Sequence, residues 1–184
     1  QFGESWQMME QGYRQEGFAK IILVFLVILA ALLRLPTIGA NINSDEAATF
    51  LVHCLYPWRK LLLTYQDTTQ HTLFVALSRF CMAIFGETET VFRLPSLLSG
   101  ILAVPLVYWL GLRLLNSRTA AIIACGLLTL SFPQLSYSQD GRGYSLTVFM
   151  ALLTTVCVVR LTEKCNRKLW GAILSFSGFG LVYL

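Results

Sequence analysis

Charged side chains are scarce in this 184-residue chain. Asp, Glu, Lys and Arg together make up 13% of the residues, whereas soluble domains carry roughly 25%. Hydrophobic residues reach 55%, and the mean hydropathy is +0.62. This balance excludes an ordinary soluble domain and indicates a polytopic membrane protein.

Basic residues are too few and too scattered to form a nucleic-acid surface. The formal net charge is +4, and Lys and Arg lie at the ends of apolar stretches rather than along one face. No Cys-x-x-Cys spacing is present, so the usual sequence signature of a thiol-ligated metal is missing. A disulfide between Cys54 and Cys81 is left open. Otherwise we expect small, apolar, free cysteines at positions Cys54, Cys81, Cys125, Cys157 and Cys165.

Long apolar stretches dominate the remainder, and a membrane span needs about 20 mostly apolar residues. The chain begins without a methionine and stops inside an apolar run, so we interpret it as a fragment truncated at its C-terminus. We predict an all-α, polytopic transmembrane helix bundle of about five spans, with external juxtamembrane helices and no sheet. The apolar stretches are Ile21 to Leu33, Leu73 to Phe85, Leu94 to Leu115, Thr119 to Phe132, Tyr144 to Val159, and Leu169 to the end.

The positions of the basic residues orient these stretches. Arg113 and Arg118 flank one short turn, and further basic residues cluster between Arg160 and Lys168. The positive-inside rule places both loops in the cytoplasm. We therefore predict a cytoplasmic tail over residues 1–19, followed by the N-terminal part of a transmembrane domain over residues 20–184.

Successive spans must cross the membrane in alternating directions. With both basic loops in the cytoplasm, residues 34–93 form one long external segment. Leu73 to Phe85 then cannot be a single crossing, although its apolar content alone would allow one. We expect this stretch to lie along the membrane interface. A second interfacial helix is predicted over Phe50 to Tyr65, because its aromatic and basic residues favour the headgroup level.

Two adjacent carboxylates, Asp45 and Glu46, follow the first apolar stretch in the sequence Asn41-Ile-Asn-Ser-Asp-Glu46. Neighbouring carboxylates repel each other, so they are typical of places where one takes a proton or both face a cation. The alternative is a helix N-terminus, with Ser44 or Asp45 as the cap and Glu46 favoured by the helix dipole. The residues alone leave both interpretations open.

Other polar residues gather on the same predicted side, at span ends where charges are costly and often functional. The segment Tyr137-Ser-Gln-Asp-Gly-Arg-Gly-Tyr144 holds Asp140 and Arg142 beside glycines that permit a tight turn. Each residue also has an ordinary interpretation. Asp140 and Arg142 could form a surface ion pair, Arg93 could extend to the interface, and His71 could be an interfacial histidine.

Taken in order, these segments resemble the GT-C superfamily of polytopic glycosyltransferases, especially bacterial relatives of protein O-mannosyltransferases and aminoarabinose transferases. The acidic pair is similar to that family's Asp-Glu motif, and Gln70-His-Thr-Leu73 is similar to its His-Pro-Pro-Leu element, with Thr72 and Leu73 in place of the prolines. The resemblance covers about Leu33 to Val159. It extends to Phe85-Gly-Glu-Thr-Glu-Thr-Val-Phe-Arg-Leu-Pro-Ser96, Tyr108-Trp-Leu-Gly-Leu-Arg113 and Tyr137-Ser-Gln-Asp-Gly-Arg-Gly-Tyr144.

The resemblance implies inverting transfer of a sugar from a polyprenyl-phosphate carrier to a protein, lipid or glycan acceptor. The reaction would occur on the external, periplasmic face of a bacterial inner membrane. Asp45 would be the general base, Glu46 its support, and Arg93 the ligand of the carrier phosphate. The substrate pocket would be lined by His71, Asp140, Arg142 and Tyr144.

A divalent metal ion is a further candidate cofactor, with Glu46, His71 and Asp140 as candidate ligands. Two other functional classes stay open. A transporter or flippase for a lipid-linked or charged solute would place its charges near mid-span in broken helices, whereas here they lie at span ends, which favours the enzyme. An inactive membrane scaffold is the other alternative, because Thr72 and Asp140 depart from the family pattern.

Overall fold

The computed structural model describes residues 2–36, 38–39, 42–64, 70–163 and 166–184, with side chains from residue 16 onward. Tyr65 and Cys165 therefore lie outside the described residues. Every regular element within these ranges is helical, which confirms the predicted all-α class. The helices are α1 (Phe2–Arg34), α2 (Ser44–Leu51), a 3₁₀ turn (His53–Leu55), α3 (Trp58–Leu63), α4 (Thr72–Phe85), α5 (Glu89–Leu115), α6 (Arg118–Leu130), α7 (Phe132–Gln139), α8 (Tyr144–Thr162) and α9 (Arg167–Val182).

Three helices of the described chain are long and apolar enough to cross a membrane: the Glu16–Arg34 part of α1, α5 and α8. The consecutive helices α6 and α7 meet at a bend of 55°, and together they have the length and composition of a fourth, broken span. Pro133 lies in the first turn of α7, where its missing N–H is tolerated. The fifth expected span corresponds to α9, whose 16 residues fall short of the length of a full crossing.

The predicted external segment differs in part from expectation. Helix α4 has 14 residues, which are too few to cross the membrane, as the alternating directions of the spans require. Its place at the interface stays a prediction. A single helix over Phe50 to Tyr65 is wrong, because the structure has α2, the 3₁₀ turn and α3 there instead. Pro57 explains the break, since proline disfavours helical backbone at the preceding residue and here precedes the first residue of α3.

Helix α5 is the centre of the bundle and packs against α1, α4, α6, α7 and α8. Small residues allow close packing with α6: a Cβ added at Gly111 would lie 2.8 Å from Cβ of Ala121. Arg93 lies near the start of α5 and Arg113 near its end. A helix of that length separates the two by about 30 Å, so they mark opposite ends of the bundle.

The cysteines are free wherever the structure describes them, and the alternative disulfide between Cys54 and Cys81 is not formed. Cys125 and Cys157 are fully buried, as expected for small apolar residues in spans. Burial raises the pKa of the Cys54 thiol to about 11, so this thiol stays protonated and unreactive at neutral pH.

Candidate active site

The start of α2 positions the acidic pair. Asn43 is the N-cap, and its backbone N–H donates to Oε2 of Glu46 at 3.1 Å. Helix α2 begins at Ser44, so the cap is Asn43 and not Ser44 or Asp45, the two predicted cap residues. The acidic pair therefore lies at a helix terminus, where Glu46 completes the cap while it faces the protein interior, and its role in a site stays a prediction.

Glu46 is buried and forms a forked ion pair with Arg93. The Nε of Arg93 donates to Oε1 at 2.9 Å and its Nη2 donates to Oε2 at 2.7 Å, with side-chain exposures of 3% for Arg93 and 1% for Glu46. The backbone N–H of Gly141 also donates to Oε1. Arg93 uses its remaining Nη1 to bind the carbonyl oxygen of Ile38 at 2.7 Å.

The charge state of Glu46 follows from these contacts. Burial on its own would raise the pKa of Glu46, but the hydrogen bonds from Arg93, Gly141 and Asn43 and the arginine charge outweigh it. The pKa of Glu46 is therefore held below its usual value. Glu46 is a fixed carboxylate in a low-dielectric setting, which suits it to holding structure rather than to exchanging protons.

Asp45 points away from this buried pair and is 58% exposed. Its carboxylate Oδ2 lies 3.2 Å from Nη1 of Arg142, whose side chain is 19% exposed. The Arg142 guanidinium in turn lies 5.2 Å from the ring centroid of Tyr144. Asp45 thus presents a carboxylate at the accessible edge of the cluster, beside a cation.

The Asp140 carboxyl is half-buried near both ion pairs. Burial and the negative charge of Glu46 raise the pKa of Asp140 above its usual value, and the charges of Arg93 and Arg142 offset only part of that rise. Two carboxyl groups in one cluster therefore have pKa values shifted in opposite directions, an arrangement found where acids have different roles.

Glycines at positions 141 and 143 let the α7–α8 turn approach the site. A Cβ at Gly141 would lie 2.9 Å from Oε1 of Glu46 and would overlap the ring of Phe92. A Cβ at Gly143 would lie 2.9 Å from the His71 ring. Ser96 fixes the turn from α5, because its hydroxyl donates to the carbonyl of Arg142 at 2.6 Å.

His71 lies next to Tyr144, with ring centroids 5.2 Å apart in an edge-to-face arrangement, and it is 7% exposed. Its Nδ1 is 2.5 Å from the carbonyl oxygen of Leu184. Burial lowers the pKa of His71, as do the nearby Arg142 and His53, although the Leu184 carbonyl acts in the opposite direction. The imidazole is therefore neutral at neutral pH.

The structure connects all seven predicted site residues, while their roles stay predictions. One chain of contacts runs from the exposed Asp45 to Arg142, Tyr144 and His71, and the buried pair of Glu46 and Arg93 lies beneath it beside Asp140. Arg93 differs most from expectation: it was expected to bind the carrier phosphate, but its guanidinium donates to Glu46 and to the carbonyl of Ile38.

The candidate metal ligands do not fit a metal ion. Among the residues that the structure describes, no three His, Cys, Asp or Glu side chains converge in a way that could hold one. Both oxygens of the Glu46 carboxylate accept hydrogen bonds from Arg93, and the Nδ1 of His71 faces a carbonyl. Glu46 and the Nδ1 of His71 are thus engaged by protein groups, whereas the buried Nε2 of His71 has no hydrogen-bond partner.

A second buried arginine joins the site to α1 and was not expected from the sequence. Arg34 is fully buried at the end of α1, where its Nε donates to Oγ of Ser138 at 2.8 Å. Gln139 donates from Nε2 to the carbonyl of Leu33 at 3.0 Å. The position of Arg34 at the end of an apolar stretch was a visible signal, but its partner 104 residues away was not.

The family model described as dolichyl-phosphate-mannose-protein mannosyltransferase matches residues 70–183, more than half of the chain. No curated protein and no solved structure matches this chain. Asp45 and Glu46 precede the matched range, which includes His71, Arg93 and the α7–α8 turn. The chain belongs to the dolichyl-phosphate-mannose-protein mannosyltransferase family, and it is therefore a membrane glycosyltransferase that uses a lipid-phosphate-linked sugar.

Proposed function

We propose that this chain catalyses inverting transfer of a hexose or pentose from polyprenyl phosphate to a hydroxyl of a protein, lipid or glycan acceptor. The site would face the periplasmic side of a bacterial inner membrane. The observation that carries the proposal is the accessible Asp45 carboxylate 3.2 Å from Arg142, held at the edge of the buried pair of Glu46 and Arg93.

Asp45 is the general base in this mechanism. An acceptor hydroxyl is a poor nucleophile until a carboxylate takes its proton, and such a base contributes roughly 10²–10⁴-fold. Asp45 is exposed enough to meet an acceptor, whereas Glu46 is enclosed by Arg93, Asn43 and Gly141. Of the two neighbouring carboxylates, Asp45 thus takes the proton, and Glu46 holds in place the helix that carries Asp45.

Arg142 is the better candidate for the carrier phosphate. Arg93 was the residue that the family resemblance assigned to this role, but its guanidinium donates to Glu46 and Ile38. Arg142 is held by one ion pair to a carboxylate that is 58% exposed, and its buried Nε has no hydrogen-bond partner, so this guanidinium can exchange Asp45 for a phosphate. Arg93 then acts through Glu46 as a positioning residue.

The reaction is a single displacement. The acceptor oxygen attacks the anomeric carbon as its proton moves to Asp45, and the bond between that carbon and the phosphate oxygen breaks. The electron pair leaves with the polyprenyl phosphate, which gains a negative charge. Arg142 stabilises that growing charge through charge-assisted hydrogen bonds. One attack from the face opposite the leaving group inverts the anomeric centre.

Sugar transfer from a radiolabelled polyprenyl-phosphate sugar tests the proposal, in membranes that carry the full-length protein. We expect Asp45→Asn to lower the rate of transfer by roughly 10²–10⁴-fold. Glu87→Gln is the matched control, because Glu87 is exposed at the same end of α5 and outside the contact network. Normal turnover by Asp45→Asn would remove Asp45 as the base, and movement of intact carrier across the membrane without transfer would favour a flippase.

A further inference from the structure

The end of the bundle opposite the candidate active site holds a second cluster of cations. A cavity of about 350 Å³ lies at the α5–α6 turn, lined by Trp109, Leu112, Arg113, Asn116 and Arg118. Because Arg113 is about 30 Å along α5 from Arg93, this cavity lies one membrane thickness away from the predicted reaction. It plays no part in the mechanism above.

Tryptophan and arginine side chains contact one another beside this cavity. The Arg160 guanidinium lies 4.6 Å from the ring centroid of Trp109 and 5.6 Å from that of Trp170, and Arg113 lies 5.6 Å from Trp109. Tryptophan and arginine together are typical of the headgroup level of a membrane. The cluster is therefore suited to the boundary between lipid and water.

Two arginines share one carboxylate beside this cavity. Glu163 is shared by two arginines, at 3.5 Å from Arg113 and 3.4 Å from Arg160. Glu16 pairs with Lys20 at 2.8 Å, and it also feels the charge of Arg118. The Nε of Arg160 is buried and has no hydrogen-bond partner. One carboxylate thus serves two arginines, and one of these has a buried donor without a partner, which favours an anionic ligand.

An apolar groove continues from the same place. A second cavity, of about 420 Å³, runs between α1 and α6 and is lined by Phe18, Ala19, Ile22, Thr119, Ile122 and Ile123 together with Arg118. Arg118 therefore borders both cavities. The cavity with arginines and the apolar groove thus meet at one residue. Together they match a molecule that has an anionic head and a hydrocarbon tail.

We propose that this end of the bundle binds an anionic phospholipid from the leaflet that surrounds the α5–α6 turn. Its phosphate lies between Arg113 and Arg118, and one acyl chain follows the groove between α1 and α6. A soluble phosphate would leave the apolar groove uncovered, whereas a zwitterionic lipid would bring no net charge to the arginines. The site is separate from the proposed reaction and does not depend on it.

Lipid titration of the purified full-length protein in detergent, followed by native mass spectrometry, tests this site. The probes are phosphatidylglycerol and phosphatidylcholine with the same acyl chains. We expect the wild-type protein to prefer phosphatidylglycerol, and Arg113→Gln with Arg118→Gln to weaken its binding by about 25-fold, at about five-fold per arginine. The matched control, Arg167→Gln with Lys168→Gln, removes the same charge from the exposed start of α9 and keeps the preference.

Two results would overturn the charge argument. Undiminished phosphatidylglycerol binding by the Arg113 and Arg118 variant would remove the site, and equal losses in both double variants would reduce it to general attraction. Glycerol phosphate distinguishes the source of the anion. If it displaces phosphatidylglycerol at equal concentration, the site takes a soluble phosphate and the lipid assignment is wrong.

A second pair of variants tests the groove and is independent of the arginines, should their replacement prevent folding. Ile123 lines the groove and is 56% exposed, so Ile123→Trp fills the groove without a change in the core. Leu127, one turn later on α6, is exposed outside the groove, so Leu127→Trp is the control. Lower phosphatidylglycerol affinity in Ile123→Trp alone is expected, and equal affinities in the two variants would contradict the proposal.

Discussion

Arg93 and Glu46 meet edge to edge, with two parallel hydrogen bonds of 2.9 and 2.7 Å and almost no solvent contact. The two residues are 47 positions apart, one on α5 and one on α2. Their charges compensate each other in a place where neither would be tolerated alone. The pair therefore fixes α2, and with it Asp45, to the central helix of the bundle.

Replacing one member of this pair should cost far more than replacing both. We expect Glu46→Gln to lower the free energy of unfolding by about 3–5 kcal/mol, because it leaves the Arg93 charge buried without compensation. The double variant Glu46→Leu with Arg93→Met should recover most of that loss. Thermal unfolding of the purified full-length protein measures both. A loss in the double variant that equals or exceeds the loss in Glu46→Gln would show that the two charges are not coupled.

Asp140 should make the protein less stable as the pH rises. Its pKa is raised in the folded state, so the folded protein binds more protons than the unfolded chain above the usual aspartate value of about 3.9. The penalty grows from that pH until the folded-state pKa is passed. We expect Asp140→Asn to be more stable than wild type at pH 7, with the difference shrinking toward pH 4.

Melting temperatures of wild type and Asp140→Asn across this range provide the measurement. Glu87→Gln is the control, since it removes an exposed carboxylate at the same end of the bundle. Glu46 contributes in the opposite sense, because its pKa is lowered and the stability that it contributes is lost as the pH falls through that pKa. This contribution is common to all three proteins. A difference independent of pH would contradict the raised pKa of Asp140.

Gly141 should not accept a side chain. A Cβ there would lie 2.8 Å from Cδ1 of Phe92 and 2.9 Å from Oε1 of Glu46, and neither neighbour is free to move. We expect Gly141→Ala to destabilise the protein by about 1–3 kcal/mol, as overpacking does. Gly126→Ala is the matched control, because no atom lies within 4 Å of a Cβ at that helical position.

The control should leave stability unchanged or raise it by about 0.5–1 kcal/mol, since alanine loses less conformational freedom than glycine in a helix. Thermal unfolding of the two variants beside wild type measures the contrast. Equal stabilities would mean that the turn relaxes away from Glu46 at little cost.

Arg142 should matter for the chemical step rather than for folding. We expect Arg142→Ala to lower transfer by about 10²–10³-fold, as loss of a group that stabilises transition-state charge does. The melting temperature should change little, since the ion pair of Arg142 is with a carboxylate that is 58% exposed. Arg59→Ala, at an exposed arginine of α3, is the control. A variant that unfolds but keeps its rate at low temperature would assign Arg142 a structural role instead.

Local chemistry in the sequence predicts the class of fold and which polar residues lie near one another. Composition dictates helices because a membrane leaves backbone groups no other partner. The positive-inside rule groups residues 34–93 with the α7–α8 turn, and the structure brings Glu46 and Gly141 into contact at one end of the bundle. Pro57 in the sequence also indicated that residues 50–65 would not form one helix.

Pairings between distant residues could not be predicted. Nothing local to Arg93 distinguishes a partner carboxylate from a ligand phosphate, because both attract the same guanidinium fork. Likewise the match of Arg34 with Ser138 depends on the 55° bend between α6 and α7, which sets where α7 meets the end of α1. Such contacts are decided by packing, and packing is a property of the whole bundle.

The three donors to Glu46 appear at very different times during synthesis. Asn43 is adjacent, Arg93 follows 47 residues later, and Gly141 follows 95 residues later. The Glu46 carboxylate is therefore without its arginine partner until α5 has been synthesised, and the last donor follows only after α6 and α7. The set of donors that fixes Glu46, and with it the position of Asp45, is therefore complete only after Gly141 has been synthesised.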